Sequence, residues 1–230
     1  MIVLAILDAA NGYLCPMENK KTAIVLGATG LVGSELLKLL LENEAFGKVI
    51  LILRRSAGIN HSKIVEQIFE QIGNYSKVIA GDVLFSSLGT TLKKAGSKEA
   101  QWKIDYTYQY EVAKMARLNG VKTAVLVSSA NASSNSSIFY SRMKGQLEDD
   151  IIKLGFDSTC ILQPSVLDGD RKEKRAGEKM AIQVGHVLSK MGILRKYRPI
   201  PAKKVAEKMI WFALAKNQDK VVYIKLDEIF

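Results

Sequence analysis

The stretch "TAIVLGATGLVGSELLKLLLEN", residues 22–43, decides the fold. Residues 22–27 form a β-rich apolar run ending in glycine, and residues 31–43 carry apolar side chains at helical spacing. Between them Gly27, Gly30 and Gly33 make a G-x-x-G-x-x-G spacing at a strand-to-helix turn. In a phosphate-cradling loop Gly27 allows the tight turn, Gly30 lets backbone amides approach a pyrophosphate, and Gly33 permits close packing of helix on sheet. The helix N-terminus beyond adds N–H donors and the positive end of a dipole. Glycines also occur in purely structural turns, but strand, turn and helix in this order make nucleotide binding the expectation.

Outward from this unit the alternation continues. "KVILILRR" (48–55) reads as a second buried strand, "KIVEQIF" (63–69) as a weaker third and "DVLFSSLG" (82–89) as a fourth. "VKTAVLVSS" (121–129) is a fifth and "DSTCILQP" (157–164) a sixth, stopped by proline. Helices are expected around 71–80, over 99–120 with Asn119-Gly120 as C-cap, over 140–154, and within "PIPAKKVAEKMIWFALAK" (199–216). Continuous apolar strands between helices imply a parallel sheet covered on both faces. The expected fold is α/β: a Rossmann-type doubly wound parallel sheet in a single domain over 17–230, with a small C-terminal substrate-side extension from about residue 168. Residues 1–16 read as an N-terminal extension outside the core domain, or as an extra strand or tail packed on it. Their apolar run is broken at Asp8 and lacks a basic leader, which fits neither a signal peptide nor a membrane anchor.

Composition narrows the function classes. The chain has 230 residues, 48% hydrophobic and 24% charged, with a formal net charge of +10. Such a charge suits nucleic acid, anionic lipid or a polyanionic small ligand. The densest basic cluster, "DRKEKRAGEK" (170–179), is diluted by acids, and no zinc-finger spacing, RNA-binding aromatic motif or heptad accompanies it. Dedicated nucleic-acid binding and a membrane role are therefore not expected. Two cysteines and two histidines make neither a disulfide framework nor a metal cluster, which points to a reducing, cytoplasmic setting and no metal. Cys160, in "STCILQ", is expected to be a buried, inert thiol.

The end of the second strand bears on the choice of dinucleotide. NAD-binding domains usually place Asp or Glu there, on the ribose 2′-hydroxyl. This chain has "LRRS", and the guanidinium groups of Arg54 and Arg55 suit a 2′-phosphate, so NADP(H) is favoured over NAD(H). The plainer reading is a solvated basic loop. In "FYSRMKGQLE" (139–148), Tyr140 and Lys144 stand four residues apart and share a helix face.

Taken in order, the glycine spacing, the paired arginines, "SLGTT" (87–91), "VSSANASS" (127–134), Tyr140-x3-Lys144 and "LQPSVLDGDRKEKRAGE" (162–178) resemble an atypical short-chain dehydrogenase/reductase. The resemblance is nearest to the branch of the HIV Tat-interactive protein and its bacterial NAD(P)-binding relatives, over about residues 20–215. It implies that Thr29, Gly30, Leu31 and Val32 line the pyrophosphate and that Arg54 and Arg55 hold the 2′-phosphate. It places Leu88 and Gly89 at the central ribose, and Leu167 and Arg175 over the nicotinamide side. Tyr140 and Lys144 match the family's catalytic pair. Its serine falls on Ser128 or Ser129, with Ser128 slightly favoured. Strand three departs from the pattern, having Gln67 or Ile68 where an acidic residue often meets the adenine.

The chemistry gives these residue types a reason. Reduction of a carbonyl builds negative charge on oxygen, which a nearby acid must neutralise. A tyrosine serves once a lysine ammonium one turn away lowers its pKa, and a serine hydroxyl positions the substrate oxygen. The expected function is NADP(H)-dependent oxidation or reduction of a small alcohol or carbonyl, by a monomer or dimer. The alternative is an NADP(H)-binding regulatory or sensor protein with weak turnover. Asp105 and Tyr108 are expected on a helix surface rather than at the cofactor, and His186 in a packed or rim position.

Overall fold

Seven strands lie side by side in one sheet, and each pairs with its neighbours in parallel. The structure, a computed structural model, describes residues 20–68, 79–168, 198–216 and 219–230. Along the chain come β1 (Lys21–Leu26), α1 (Leu31–Glu42), β2 (Phe46–Leu53), β3 (Ile64–Ile68) and β4 (Val83–Ser86). Then follow α2 (Leu92–Ala95), α3 (Lys98–Trp102), a π-helical turn (Lys103–Thr107), α4 (Tyr108–Leu118), β5 (Thr123–Val127), α5 (Phe139–Lys153) and β6 (Ser158–Gln163). The chain closes with β7 (Leu167–Asp168), β8 (Ile200–Pro201), α6 (Ala202–Leu214), β9 (Val221–Lys225) and a 3₁₀ turn (Leu226–Ile229). The sheet order is β3-β2-β1-β4-β5-β6-β9, so the direction of winding reverses between β1 and β4. A crevice opens at such a switch point beyond the carboxyl ends of the strands.

The period of two along each strand explains why the apolar runs are continuous. In β1, Ala23 and Val25 join the core on one face of the sheet, while Ile24 and Leu26 join the core on the other. The same split divides Val49, Leu51 and Leu53 of β2 from Ile50 and Ile52, and Val125 and Val127 of β5 from Ala124 and Leu126. Both faces are dry, so no position can be polar without cost. Helices α1 and α6 pack together over the first face, through Leu36, Leu40, Val205 and Met209. The other face is covered through Val112 and Ala116 of α4 and Leu147 and Ile151 of α5.

The expected doubly wound fold is therefore present, with two differences in detail. The helix over 99–120 is not continuous α-helix: it starts at Lys98, capped by the Ser97 hydroxyl accepting from Ala100 N–H at 3.1 Å, and passes through the π-helical turn. Its end behaves as expected. Gly120 takes φ +85°, and the N–H groups of Gly120 and Val121 bond the carbonyls of Arg117 and Ala116. The second difference is β9, an edge strand that the sequence reading assigned to no element. Only Ile224 of β9 is buried, so its pattern "VVYIK" carries a weak apolar signal. Since a fully buried aliphatic side chain contributes about 1.5–3 kcal/mol, the sheet's stability resides in its central strands rather than in this edge. The extension over 1–16, the helix expected around 71–80 (all but its last two residues), Arg175 and His186 lie outside the described residues.

Candidate active site

The turn between β1 and α1 is built almost entirely from backbone. Gly27 takes φ +91°, and a Cβ there would come within 2.6 Å of the Leu88 nitrogen, so only glycine lets the loop lie flat against the end of β4. A Cβ on Gly33 would overlap the Gly27 carbonyl oxygen, which is how the first turn of α1 presses onto the loop. Gly30 donates its N–H to the Gly27 carbonyl at 2.9 Å and serves as the N-cap of α1 with no side chain to cap it. The first intrahelical bond runs from Ser34 N–H to the Gly30 carbonyl. The N–H groups of Leu31, Val32 and Gly33 precede it and are left to solvent or an anion. Thr29 and Gly30 are exposed, Leu31 is half-buried, and Val32 is in the core, so Val32 can offer a ligand only its backbone. This cradle fits a pyrophosphate.

Arg54 and Arg55 directly follow β2 and are exposed, and neither forms an ion pair with another described residue. Across the switch point, Leu88 and Gly89 follow β4, and their loop is held from below. Asp105, on the π-helical turn, is fully buried and accepts from Thr90 N–H at 2.6 Å. Gln109 donates to the Asp105 carbonyl at 2.5 Å and accepts from the Ser86 hydroxyl at 2.7 Å. The expected helix-surface role of Asp105 is thus corrected: the wider π turn carries its carboxylate inward, under the loop that follows β4. Tyr108 is half-buried, with the Lys103 ammonium over its ring.

The end of β5 and the start of α5 bring the other candidates together. Lys144 is 2% exposed and its ammonium makes no hydrogen bond or ion pair with another described residue, while Tyr140, one turn earlier, is 38% exposed. The small polar loop between β5 and α5 is clamped to the helix. Ser133 N–H bonds the Ser141 carbonyl at 3.0 Å, and the Arg142 guanidinium bonds the carbonyls of Ser136 at 2.9 Å and Ser137 at 3.2 Å. Gly145 makes this approach possible, since any Cβ there would overlap the backbone of Ser133 and Ser134. The two serines differ. Ser128 is 7% exposed and donates its hydroxyl to Glu148 Oε1, whereas Ser129 is half-exposed and reaches only its neighbour's carbonyl, Ala130 O, at 3.3 Å. Glu148, 4% exposed, also accepts from Gln163 Nε2 at 3.1 and 3.0 Å. Burial pushes its carboxyl above the usual carboxylate range, against the pull of those two bonds and of the Lys144 charge.

Sequence reading brought out the glycines, the arginines, the Tyr140/Lys144 pair and the serines, but passed over Gly145, Glu148 and Gln163. Glu148 lies four residues beyond Lys144, a spacing that could have flagged it as facing the same way. Gln163 carried no such signal, being a polar residue at the end of an apolar strand. Leu167 sits on β7, paired with Ile200 of β8. Cys160 is buried, as expected, and burial lifts its thiol to about 12, so it is inert at neutral pH.

Comparison with known proteins now bears on this geometry. An NAD(P)H-binding family matches residues 27–197, from the first glycine of the cradle to beyond β7. The chain belongs to the NAD(P)H-binding family. Among its relatives, protein FMP52, mitochondrial, of Candida albicans is 37% identical, covering 90% of this chain and 96% of that protein. The protein of the same name from Candida glabrata is 42% identical over 73% of this chain and 74% of its own length. Solved structures share the fold at low identity. A UDP-galactose 4-epimerase superposes with TM-score 0.66 at 15% identity, over 89% of this chain and 76% of that one. A short chain dehydrogenase family protein from Francisella tularensis superposes with TM-score 0.61 at 16% identity, over 90% and 98%. The enzyme WbmG of Bordetella bronchiseptica, solved in complex with NAD, gives 0.66 at 14% identity, over 92% and 74%. The chain thus belongs to an NAD(P)H-binding family and shares the fold of these solved structures. The cytoplasmic setting expected from cysteine usage is corrected, because the matched relatives are named as mitochondrial proteins. Reduced thiols report a compartment's redox state and carry no address. No helix among the described residues is long and apolar enough to cross a membrane.

Proposed function

We propose that the chain is an NADP(H)-dependent oxidoreductase of the short-chain dehydrogenase/reductase type, acting on a small carbonyl or alcohol. One observation carries the reading: a backbone-only glycine cradle and a buried Lys144, one turn from a half-exposed Tyr140, flank the carboxyl ends of the neighbouring strands β1, β4 and β5. The backbone of Thr29, Gly30, Leu31 and Val32 would hold the pyrophosphate, and Arg54 and Arg55 the adenosine 2′-phosphate. Leu88 and Gly89 would meet the central ribose, with Leu167 and Arg175 on the nicotinamide side. When bound, the dinucleotide supplies a hydride to the carbonyl carbon. Tyr140 Oη would give its proton to the substrate oxygen as charge develops there, and the Lys144 ammonium would stabilise that developing charge and bond the ribose hydroxyls. Ser129 has the hydroxyl free enough to orient the substrate oxygen, whereas that of Ser128 is engaged by Glu148.

The resemblance to the Tat-interactive branch, on "SLGTT" and "QPSVLDGDR", belongs to the same proposal. So does a mitochondrial location, which rests on the names of the relatives. A second reading, an NADP(H)-dependent sensor with little turnover, is favoured by the capture of the Ser128 hydroxyl within the fold. Titrating purified protein with NADPH and NADH, then following NADPH oxidation across a panel of carbonyls, separates the two. Turnover that disappears in Tyr140→Phe supports the enzyme; tight NADPH binding with no turnover on any carbonyl or alcohol supports the sensor. Fractionation of cells expressing the tagged chain tests the location.

A further inference from the structure

Glu148 is a buried carboxylate that the chemistry above does not use. It lies on α5 one turn beyond Lys144, and it accepts from Ser128 Oγ at the end of β5 and from Gln163 Nε2 at the end of β6. Its carboxylate therefore ties the helix that carries Tyr140 and Lys144 to two adjacent strand ends, at the carboxyl edge of the sheet where the crevice opens. The neutral Ser128 and Gln163 face it from β5 and β6. The Lys144 ammonium and Asp149 approach along its own helix, and the Tyr223 phenol of β9 feels its charge. A carboxylate kept in so closed a place, in preference to an apolar side chain, implies that its directional bonds matter.

We propose that Glu148 is a positioning residue: with Ser128 and Gln163 as its partners, it fixes the phase and depth of α5 against β5 and β6, and so sets Lys144 and Tyr140 relative to a ribose bound in the crevice and Ser129 relative to the substrate. Ser128 belongs to this strut and does not touch substrate. The inference rests on the proposed dinucleotide-binding reading, and it has a readout in cofactor affinity that does not depend on turnover.

Three variants in the full chain test it: Glu148→Ala, Glu148→Gln and Ser128→Ala. NADPH affinity is read by fluorescence titration, and carbonyl reduction is resolved into kcat and KM, all at a temperature where melting curves show each variant folded. Glu148→Ala is expected to weaken NADPH binding about fivefold and to lower kcat about thirtyfold, with little change in KM for the carbonyl. Glu148→Gln keeps one acceptor for Ser128 and should recover most of both losses. Ser128→Ala should shift NADPH affinity in the same direction, and the loss from Ser128→Ala and Glu148→Ala combined should be smaller than the product of the separate losses. A folded Glu148→Ala protein with unchanged NADPH affinity and kcat overturns the proposal, leaving Glu148 as a stability element only. So does full additivity with Ser128→Ala. If the unmodified protein binds NADPH but reduces nothing, the enzyme reading falls, while the affinity series still decides the role of Glu148. Should Glu148→Ala fail to fold, the Glu148→Gln and Ser128→Ala pair carries the test alone.

Discussion

The β1–α1 cradle and the β5–α5 corner flank the same crevice but are built by opposite means. The cradle is made of absences: Gly27, Gly30 and Gly33 lack the side chains that would collide with Leu88 or with the loop's own carbonyl, and the donors it presents are backbone N–H groups. The corner is made of side chains. Lys144 and Glu148 come from α5, Ser128 from the end of β5 and Gln163 from β6, and Glu148 bonds both Ser128 and Gln163. Local damage to the cradle should therefore be severe and hard to compensate. The corner should fail in graded, coupled steps.

The sharpest way to break the comparison is Gly33→Val. The added side chain has no room against the Gly27 carbonyl, so α1 must move off the loop. NADPH binding should fall at least a hundredfold in titration, with a large drop in melting temperature; retained affinity would show that the cradle is not the cofactor site. Next in size is Tyr140→Phe, which removes one hydroxyl from a partly exposed position. Loss of a positioned acid costs about 10²–10⁴ in rate, so kcat should fall by that range while NADPH affinity stays within a few-fold. Arg54→Ala and Arg55→Ala probe the cradle's charged flank. Both side chains are exposed, so each should weaken NADPH about tenfold, leave NADH unchanged and flatten the salt dependence of NADPH binding. Equal losses for the two dinucleotides would mean that the arginines do not meet a 2′-phosphate.

The smallest effect concerns pH and belongs to the corner. The folded-state pKa of Glu148 is raised by burial, so the folded protein holds this proton more tightly than the unfolded chain does. Its contribution to stability is fully present at pH below the ordinary glutamate value and is lost as pH rises through the raised folded value. Melting temperature followed across that window should decline in the unmodified protein, and Glu148→Gln should flatten the decline. An unchanged slope in Glu148→Gln would assign the pH dependence to another group.

The two regions also differed in how far they could be read from the chain. The cradle follows from local sequence, because its function depends on backbone conformation and on the sequence neighbours that set it. Even the C-cap at Asn119-Gly120 is legible in this way. The corner gave only its helical pair, Tyr140 and Lys144, since a spacing of four already fixes a shared face. Which serine is engaged, and by what, could not be read. Ser128 and Ser129 have the same chemistry, and the partner that separates them sits on a helix that begins ten residues later. Asp105 was misplaced for a related reason: a helical wheel assumes α-helical phase, and the π turn shifts it. The edge strand β9 was missed because partial burial leaves little apolar pattern to see.

By itself the sequence determined the alternation of buried strands and amphipathic helices, the glycine turn and the doubly wound parallel sheet, because dry faces and tight turns restrict which residues can stand where. Tertiary structure alone decided that Ser128 is bound to Glu148, that Asp105 supports the loop after β4, and that β9 completes the sheet. Those contacts join residues far apart in the chain, and their formation depends on packing geometry that no local pattern encodes.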